Sequence, residues 1–514
     1  MNDLTPILVG GGQYVDRDAP EAGRSLSPAD IAAEAARRAI AHAGADGDLA
    51  AAVDVFAVAR MFEHSVRGAA MWPNPFGCSN NMPWSVANRL GITPRRAIYS
   101  EVGGETPQRL ISQMAEAIFA GEVRAAVLTG AEALATLRKA TRAGLSFDWN
   151  EEEDGEFEDQ WPEDDMTSAY ERRHGITYPI QVYCLFEQVL RAELGLSLDQ
   201  YRARIGRVFA PFSAVAAANP FAQFQEAYDA DFIATPSKAN FQVSEPYNKW
   251  MVAQDAVNQG AAVVLTSAGA ARELGIPESN WVYLRAYADV DDVHVSLRPR
   301  LAASNAQGLA LTRALDDSGL GIDEIGLIDL YSCFPIAVTS ACEHLGLDPL
   351  GGRSLTLTGG LPFFGGPGNN YSLHAIAEVA ARLRDAPDQN ALVAANGGYL
   401  SKHSVGIYSG RLDGEWRVRS SAAERAEAKA PSGVVVAEVA DGPGRVESYA
   451  ALYAKGESSG GYIVGRLDAD DRRFLAVVAP GSEAAHALLF APDPIGAPVT
   501  VSHADGLNSF DVGV

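Results

Sequence analysis

The run AIFAGEVRAAVLTGAEAL, residues 117–134, holds the end of a helix, a glycine stop and a buried strand. The helix ends near Gly121, and residues 125–129 (AAVLT) are apolar on both faces, as in a strand covered by helices. Working back, residues 97–100 predict another strand, running into Gly103-Gly104-Glu105-Thr106-Pro107. There Thr106 can cap and Pro107 can begin the helix that Gly121 ends. Further upstream, residues 7–9 predict a short strand. Ser27, Pro28 and Asp30 then open a helix that stops at Gly44, and residues 53–59 form the next strand.

The same order recurs. Residues 311–334 (LTRALDDSGLGIDEIGLIDLYSCF) match the helix, turn and strand of residues 36–59, including an Asp within the apolar strand. Residues 359–400 repeat the second half: Gly365-Gly366, a helix containing His374 and Ala377, and a strand ending in Asn396-Gly397-Gly398. Two similar strand-helix halves imply an α/β fold with mainly parallel sheets and helices on their faces. Ligand chemistry in such sheets gathers at the carboxyl ends of the strands, where both Gly-Gly turns fall. The predicted units are residues 1–130, an inserted helical cap at 131–260, a second half at 261–410 and a small β-barrel domain at 411–514. The last unit opens on the polar linker SSAAERAEAKA (420–430) and shows short alternating runs at 446–453, 462–467 and 474–478.

The chain has 514 residues, 47% hydrophobic and 21% charged, the balance of a folded multidomain protein. A net charge of −24 repels phosphate backbones and anionic lipid, so neither nucleic acid nor membrane is an expected partner. Residues 151–165 (EEEDGEFEDQWPEDD) lack the glycine and ligand spacing of an EF-hand and predict a solvated, mobile loop. Cys78, Cys184, Cys333 and Cys342 lie far apart without CxxC spacing, so no disulfide framework, zinc knuckle or other metal site is predicted. The N-terminus has no signal-peptide pattern and no segment is long and apolar enough to span a membrane; a cytoplasmic location is expected.

Residues 1–410 resemble the thiolase superfamily, nearest the sterol-carrier-protein-associated thiolases. The resemblance rests on the duplicated half, the cap between halves, the run at 117–134, VNQGAAVVLTS (257–267) and GGLPFFGGPG (359–368). It implies a duplicated, layered α-β-α-β-α fold. The tail resembles the OB-type barrel of partner proteins that accompany thiolase-like aldolases, here fused; such a tail could cover the surface thiolases use to dimerise, so both a monomer and a homodimer are expected states.

The resemblance also exposes what is missing. The family's nucleophilic cysteine falls on Gly104, or on Gly103 one register back. Its histidine turn falls on Gly365-Gly366-Pro367, and its second cysteine on Ala395 or Asn396. The asparagine that helps bind the catalytic water falls on Tyr331. With all three reactive groups gone, an acyl-cysteine route is disfavoured. Tyr331, Asn370, Tyr371, His374, Asn396 and His403 are expected at one mouth. The candidate catalytic residues are Tyr331, His403, His374 and Asn396, and Gly103, Gly104, Gly397 and Lys249 are the candidates for holding coenzyme A, with Lys238 as a further cap lysine. Tyr331 and His403 would exchange protons, while backbone N–H groups near Gly103, Gly104 and Asn396 would hold an enolate oxygen. The expected activity is carbon-carbon bond cleavage or formation beside a thioester without an acyl-enzyme. A coenzyme A thioester would be substrate or ligand, and no cofactor would be permanently bound. The alternative is a non-catalytic binder of coenzyme A or acyl-CoA.

Overall fold

Two mixed sheets enclose two helices in the computed structural model, which describes residues 2–22, 25–162, 165–454 and 456–512. The first sheet runs in the order Pro6–Val15, Asn258–Ser267, Ala125–Ala133, Val55–Val58, Arg96–Tyr99, Glu158–Asp159, and the second in the order Leu327–Leu330, Asn390–Gly397, Lys402–Ser409, Tyr283–Asp291. The helices Thr106–Phe119 and Tyr371–Asp385 pack against strands of both sheets. They bury Ile111, Ile118, Ile376 and Val379 completely, each side chain worth roughly 1.5–3 kcal/mol. Pro28–Ala43 covers the outer face of the first sheet and Asn305–Ser318 that of the second. This completes the five predicted layers.

The strand directions differ from the mainly parallel expectation. Asn258–Ser267 is antiparallel to both its neighbours, and Lys402–Ser409 is antiparallel to both of its own. In the second sheet the cause is local, because the turn 398–401 between Asn390–Gly397 and Lys402–Ser409 is too short for the crossover a parallel pair needs. The acidic run also differs. Glu151 binds Arg89 at 2.9 Å, Glu158 binds Arg96 at 2.8 Å, Asp159 pairs with buried Arg60, and Glu158–Asp159 extends the first sheet. Arg89, Arg96 and Arg60 hold three of these carboxylates, while Glu152, Asp154 and Glu156 stay exposed. Glu163 and Asp164 lie outside the described residues.

The tail closes into a five-stranded barrel in the order Gly442–Ala454, Glu457–Leu467, Arg473–Val478, Leu507–Val512, Pro498–Ala504 and back to the first strand. The third and fifth strands in sequence are parallel, and the helix Glu483–Leu489 lies between the third and fourth. The barrel is not held by a free linker. Within the predicted linker, Ala422–Ala428 is a helix packed on Asn305–Ser318 and Tyr283–Asp291; just before the linker, Trp416 is buried, its Nε1 donating to the Leu284 carbonyl at 2.7 Å. The cap helix Pro179–Glu193 packs on the first barrel strand, where Ser448 donates to the Leu185 carbonyl at 2.7 Å. Among the described residues no helix is long and apolar enough to cross a membrane.

Candidate active-site cavity

The strand Arg96–Tyr99 delivers the chain to the turn at Gly103-Gly104, and the strand Leu327–Leu330 delivers Tyr331 opposite it. These two strand ends meet the end of Asn390–Gly397 at a cavity of about 530 Å³, within the size range of ligand sites. Gly103, Gly104, Tyr331, Asn396 and Gly397 are all on its wall, with Cys333 and Tyr183 beside them. Most of the remaining wall is apolar, including Phe62, Met71 and Trp72.

Gly104 is glycine for a steric reason. A Cβ there would overlap the Tyr331 hydroxyl and stand 2.5 Å from Tyr331 Cζ and 2.6 Å from the Asn396 carbonyl oxygen. The phenol thus fills the space that a nucleophilic side chain on residue 104 would need. Gly103 adopts φ +146°, and its N–H donates to Asn369 Oδ1 at 3.1 Å. Ser372 Oγ donates to the Gly104 carbonyl. Gly104→Cys is therefore expected to destabilise the protein by about 1–3 kcal/mol and to acquire no acyl group from a thioester. Chemical denaturation and intact-mass spectrometry check the two halves of that expectation.

The helix after this turn begins at Thr106 itself, with Glu105 at the N-cap position and no side-chain cap bond, so Thr106 is not the cap the sequence predicts. Glu105 is fully buried against Gly103 and Gly397, its Cδ 2.6 Å and 2.9 Å from where their Cβ atoms would be. Neither carboxylate oxygen has a hydrogen-bond partner, and Lys402 Nζ is 3.9 Å away. Burial pushes its pKa up, opposed by Lys402 and Arg109.

Tyr331 is almost fully enclosed, its ring edge-on to Tyr371 at 5.3 Å. Burial raises its pKa well above the ordinary phenol value, reinforced by Cys333 and Glu105, so the group is a proton donor at neutral pH. The Cys333 thiol is pushed up to about 12 by burial. Asn396 Nδ2 donates to Tyr183 Oη at 3.0 Å and to Cys333 Sγ at 3.5 Å. The Gly103 N–H and the Asn396 side-chain amide are thus engaged within the protein, while the Tyr331 hydroxyl is a protonated donor on the wall.

The two histidines lie off the cavity wall. His403 is buried in the second sheet with its Nε2 3.0 Å from Ser304 Oγ. Ser304 in turn donates to Asp292 at 2.6 Å. Burial lowers the His403 pKa to about 4. His374 donates from Nδ1 to Gln13 Oε1 at 2.8 Å, lies edge-on to Phe364 and is lowered by burial to about 3. Both are neutral core groups, and neither is placed to exchange protons with Tyr331. Lys249 stacks its Nζ on Trp250 at 4.6 Å instead of reaching the wall; the wall's guanidinium is Arg138, which binds Asp255 at 2.7 and 2.5 Å. Asn370 donates to the Gly130 carbonyl at 2.6 Å, and its neighbour Asn369 is the one on the wall. Among the wall residues that sequence reasoning leaves out are Cys333, Tyr183, Asn369 and Arg138.

Close to this wall, Glu132 is fully buried and accepts the Phe62 N–H at 2.6 Å. Burial raises its carboxyl from 4.5 to about 8. The unfolded chain then releases its proton first as pH rises, so stability falls by about 1.4 kcal/mol per unit between those two values. Glu132→Gln keeps the acceptor oxygen and removes the titration. Its advantage over the parent chain is expected to grow with pH across that window and then level off, as urea denaturation at several pH values will read.

The family model described as the thiolase-like protein type 1 additional C-terminal domain matches residues 426–506. A monomeric SCP2-thiolase like protein type 1 from Mycobacterium smegmatis is similar over 100% of both chains, with 38% identity and a TM-score of 0.85. The fold alone is shared with an Ltp2-ChsH2(DUF35) aldolase, at 20% identity over 79% of this chain and 98% of that one, TM-score 0.57. It is also shared with an acetyl-CoA acetyltransferase from Syntrophomonas wolfei, at 14% identity over 79% and 99%, TM-score 0.54. No curated protein matches the chain. Alike from end to end to one solved relative, and with its tail matched by the family's additional domain, the chain belongs to the SCP2-thiolase-like proteins of type 1.

Proposed function

We propose that the cavity takes the acyl end of a coenzyme A thioester and that a carbon-carbon bond beside the thioester is broken or formed there without an acyl-enzyme. The observation that carries this reading is the Tyr331 phenol standing in the space of a side chain on residue 104. In the cleavage direction the hydroxyl proton of a β-hydroxyacyl thioester passes to solvent water as the Cα–Cβ electron pair becomes an enolate. A carbonyl compound departs, and the enolate carbon takes up a proton. Tyr331 donates to the enolate oxygen and then supplies that proton, and the phenol is restored by the proton released to water at the first step. The shared fold with a protein named as an aldolase supports the reaction class, and the one with an acetyl-CoA acetyltransferase supports the thioester.

A second reading, binding without catalysis, draws on one observation: burial holds both Tyr331 and Cys333 in their protonated forms. Calorimetry with coenzyme A and acyl-CoAs, beside a turnover panel of β-hydroxyacyl, β-ketoacyl and simple acyl thioesters, separates the two. Turnover supports the enzyme, binding without turnover supports the module, and absence of both overturns each. The free cysteines fit a reducing, cytoplasmic setting, and the relative described as monomeric supports a monomer over a homodimer.

A further inference from the structure

Beside the cavity, the segment from Phe62 to Cys78 gathers three side chains that the reaction above does not use. Glu63 and His64 leave the short 3-10 turn Phe62–His64, and Cys78 returns against them. One ligand atom from each of the three lies within 4.8 Å of the other two. His64 Nε2 and Cys78 Sγ are 3.5 Å apart. A tetrahedral zinc ion with bonds of 2.3 Å to sulfur and 2.0–2.1 Å to nitrogen sets those atoms about 3.5 Å apart. The outer contacts also suit ligands. His64 Nδ1 is 2.8 Å from Tyr99 Oη, which can fix the ring so that Nε2 faces Cys78, and Asn74 Nδ2 donates to Glu63 Oε2 at 2.9 Å, orienting the carboxylate. Glu63 is buried while His64 and Cys78 are partly open, which gives an ion a way in.

We infer that Glu63, His64 and Cys78 form a zinc(II) site with a fourth position left for water. A thiolate, an imidazole and a carboxylate together favour zinc over magnesium or calcium, which take oxygen ligands. The ion would tie the two ends of a segment whose Phe62, Ser65, Met71 and Trp72 line the cavity, so its role is to hold that wall. The sequence hides the site because adjacent Glu and His and a distant single Cys match no ligand spacing.

The test loads the full chain with zinc(II) or cobalt(II), removes excess ion and measures bound metal, affinity by chelator competition, and absorption. One equivalent is expected, with a thiolate-to-cobalt charge-transfer band. Cys78→Ser should abolish the band, and both it and His64→Gln should weaken binding by more than about 100-fold, with Tyr99→Phe weakening it about 10-fold. Glu63→Gln should weaken binding but keep the band, which tests the site even if Cys78→Ser fails to fold. Sub-stoichiometric metal in the parent chain, a missing band, or unchanged binding in either ligand variant would mean a plain S–H···N contact and overturn the assignment.

Discussion

Tyr331→Phe is expected to lower kcat on any thioester the protein turns over by about 10²–10⁴-fold, the usual worth of a positioned proton donor, with KM nearly unchanged. The substitution removes one oxygen and leaves the ring, which keeps its edge contact with Tyr371. Gly104 still has no room for a side chain, because Tyr331 Cζ is itself 2.5 Å from where a Cβ would be. What is lost is the phenol's one hydrogen-bond donor. Burial keeps that hydroxyl protonated well beyond neutral pH, so the parent chain's activity should carry no basic limb from Tyr331 in the physiological range. Steady-state kinetics across pH reads both effects. Unchanged kcat in the phenylalanine variant would remove Tyr331 from the chemistry.

The layers were legible in the sequence because each depends on local grammar: Ser27-Pro28-Asp30 opens one helix with a capping box, and residues 125–129 are apolar throughout. Strand direction was less legible, since an apolar run such as residues 261–265 reads the same whichever way its neighbours point. Tyr331, Asn396 and the glycines, read from their places at strand ends, do stand on one cavity wall. His403 and His374 were misplaced for a physical reason. Nearness to a turn does not say which face of the sheet His403 takes, and a place inside a helix does not say which face His374 takes; they turn to Ser304 and Gln13. Cys333 escaped because only the fold brings its sulfur to Asn396. Glu105 looked like a routine first-turn carboxylate; its enclosure depends on two glycines far apart in sequence, Gly103 and Gly397.

Arg473→Met is expected to cost about 3–5 kcal/mol, because it leaves a carboxylate and two carbonyls with lost partners at the seam between barrel and core. Arg473 is fully buried. Its Nε and Nη2 bind the two oxygens of Glu447 at 2.8 and 2.6 Å, while Nη1 donates to the Ser296 and Arg298 carbonyls at 3.0 and 2.6 Å. One side chain therefore satisfies the barrel's own acid and a turn of the thiolase-like body at once. Around it, Tyr462, Val464 and Leu475 of the barrel join the same apolar cluster as Tyr170, Val182 and Tyr183 of the cap, so the barrel is built into the body and not tethered to it. Burial alone would raise the Glu447 pKa, but bonds from Arg473 and Arg466 outweigh it and hold the group below 4.5. That contribution is present above the unfolded value and fades as pH falls through the folded one, so the penalty in the variant should shrink in acid. Urea denaturation gives the magnitude, and hydrogen exchange gives its location: barrel amides in residues 442–478 and the turn at residues 295–298 should exchange faster together. If the barrel strands alone loosen while that turn keeps its protection, Arg473 is a barrel residue only, and the packing of cap against barrel carries the junction without it.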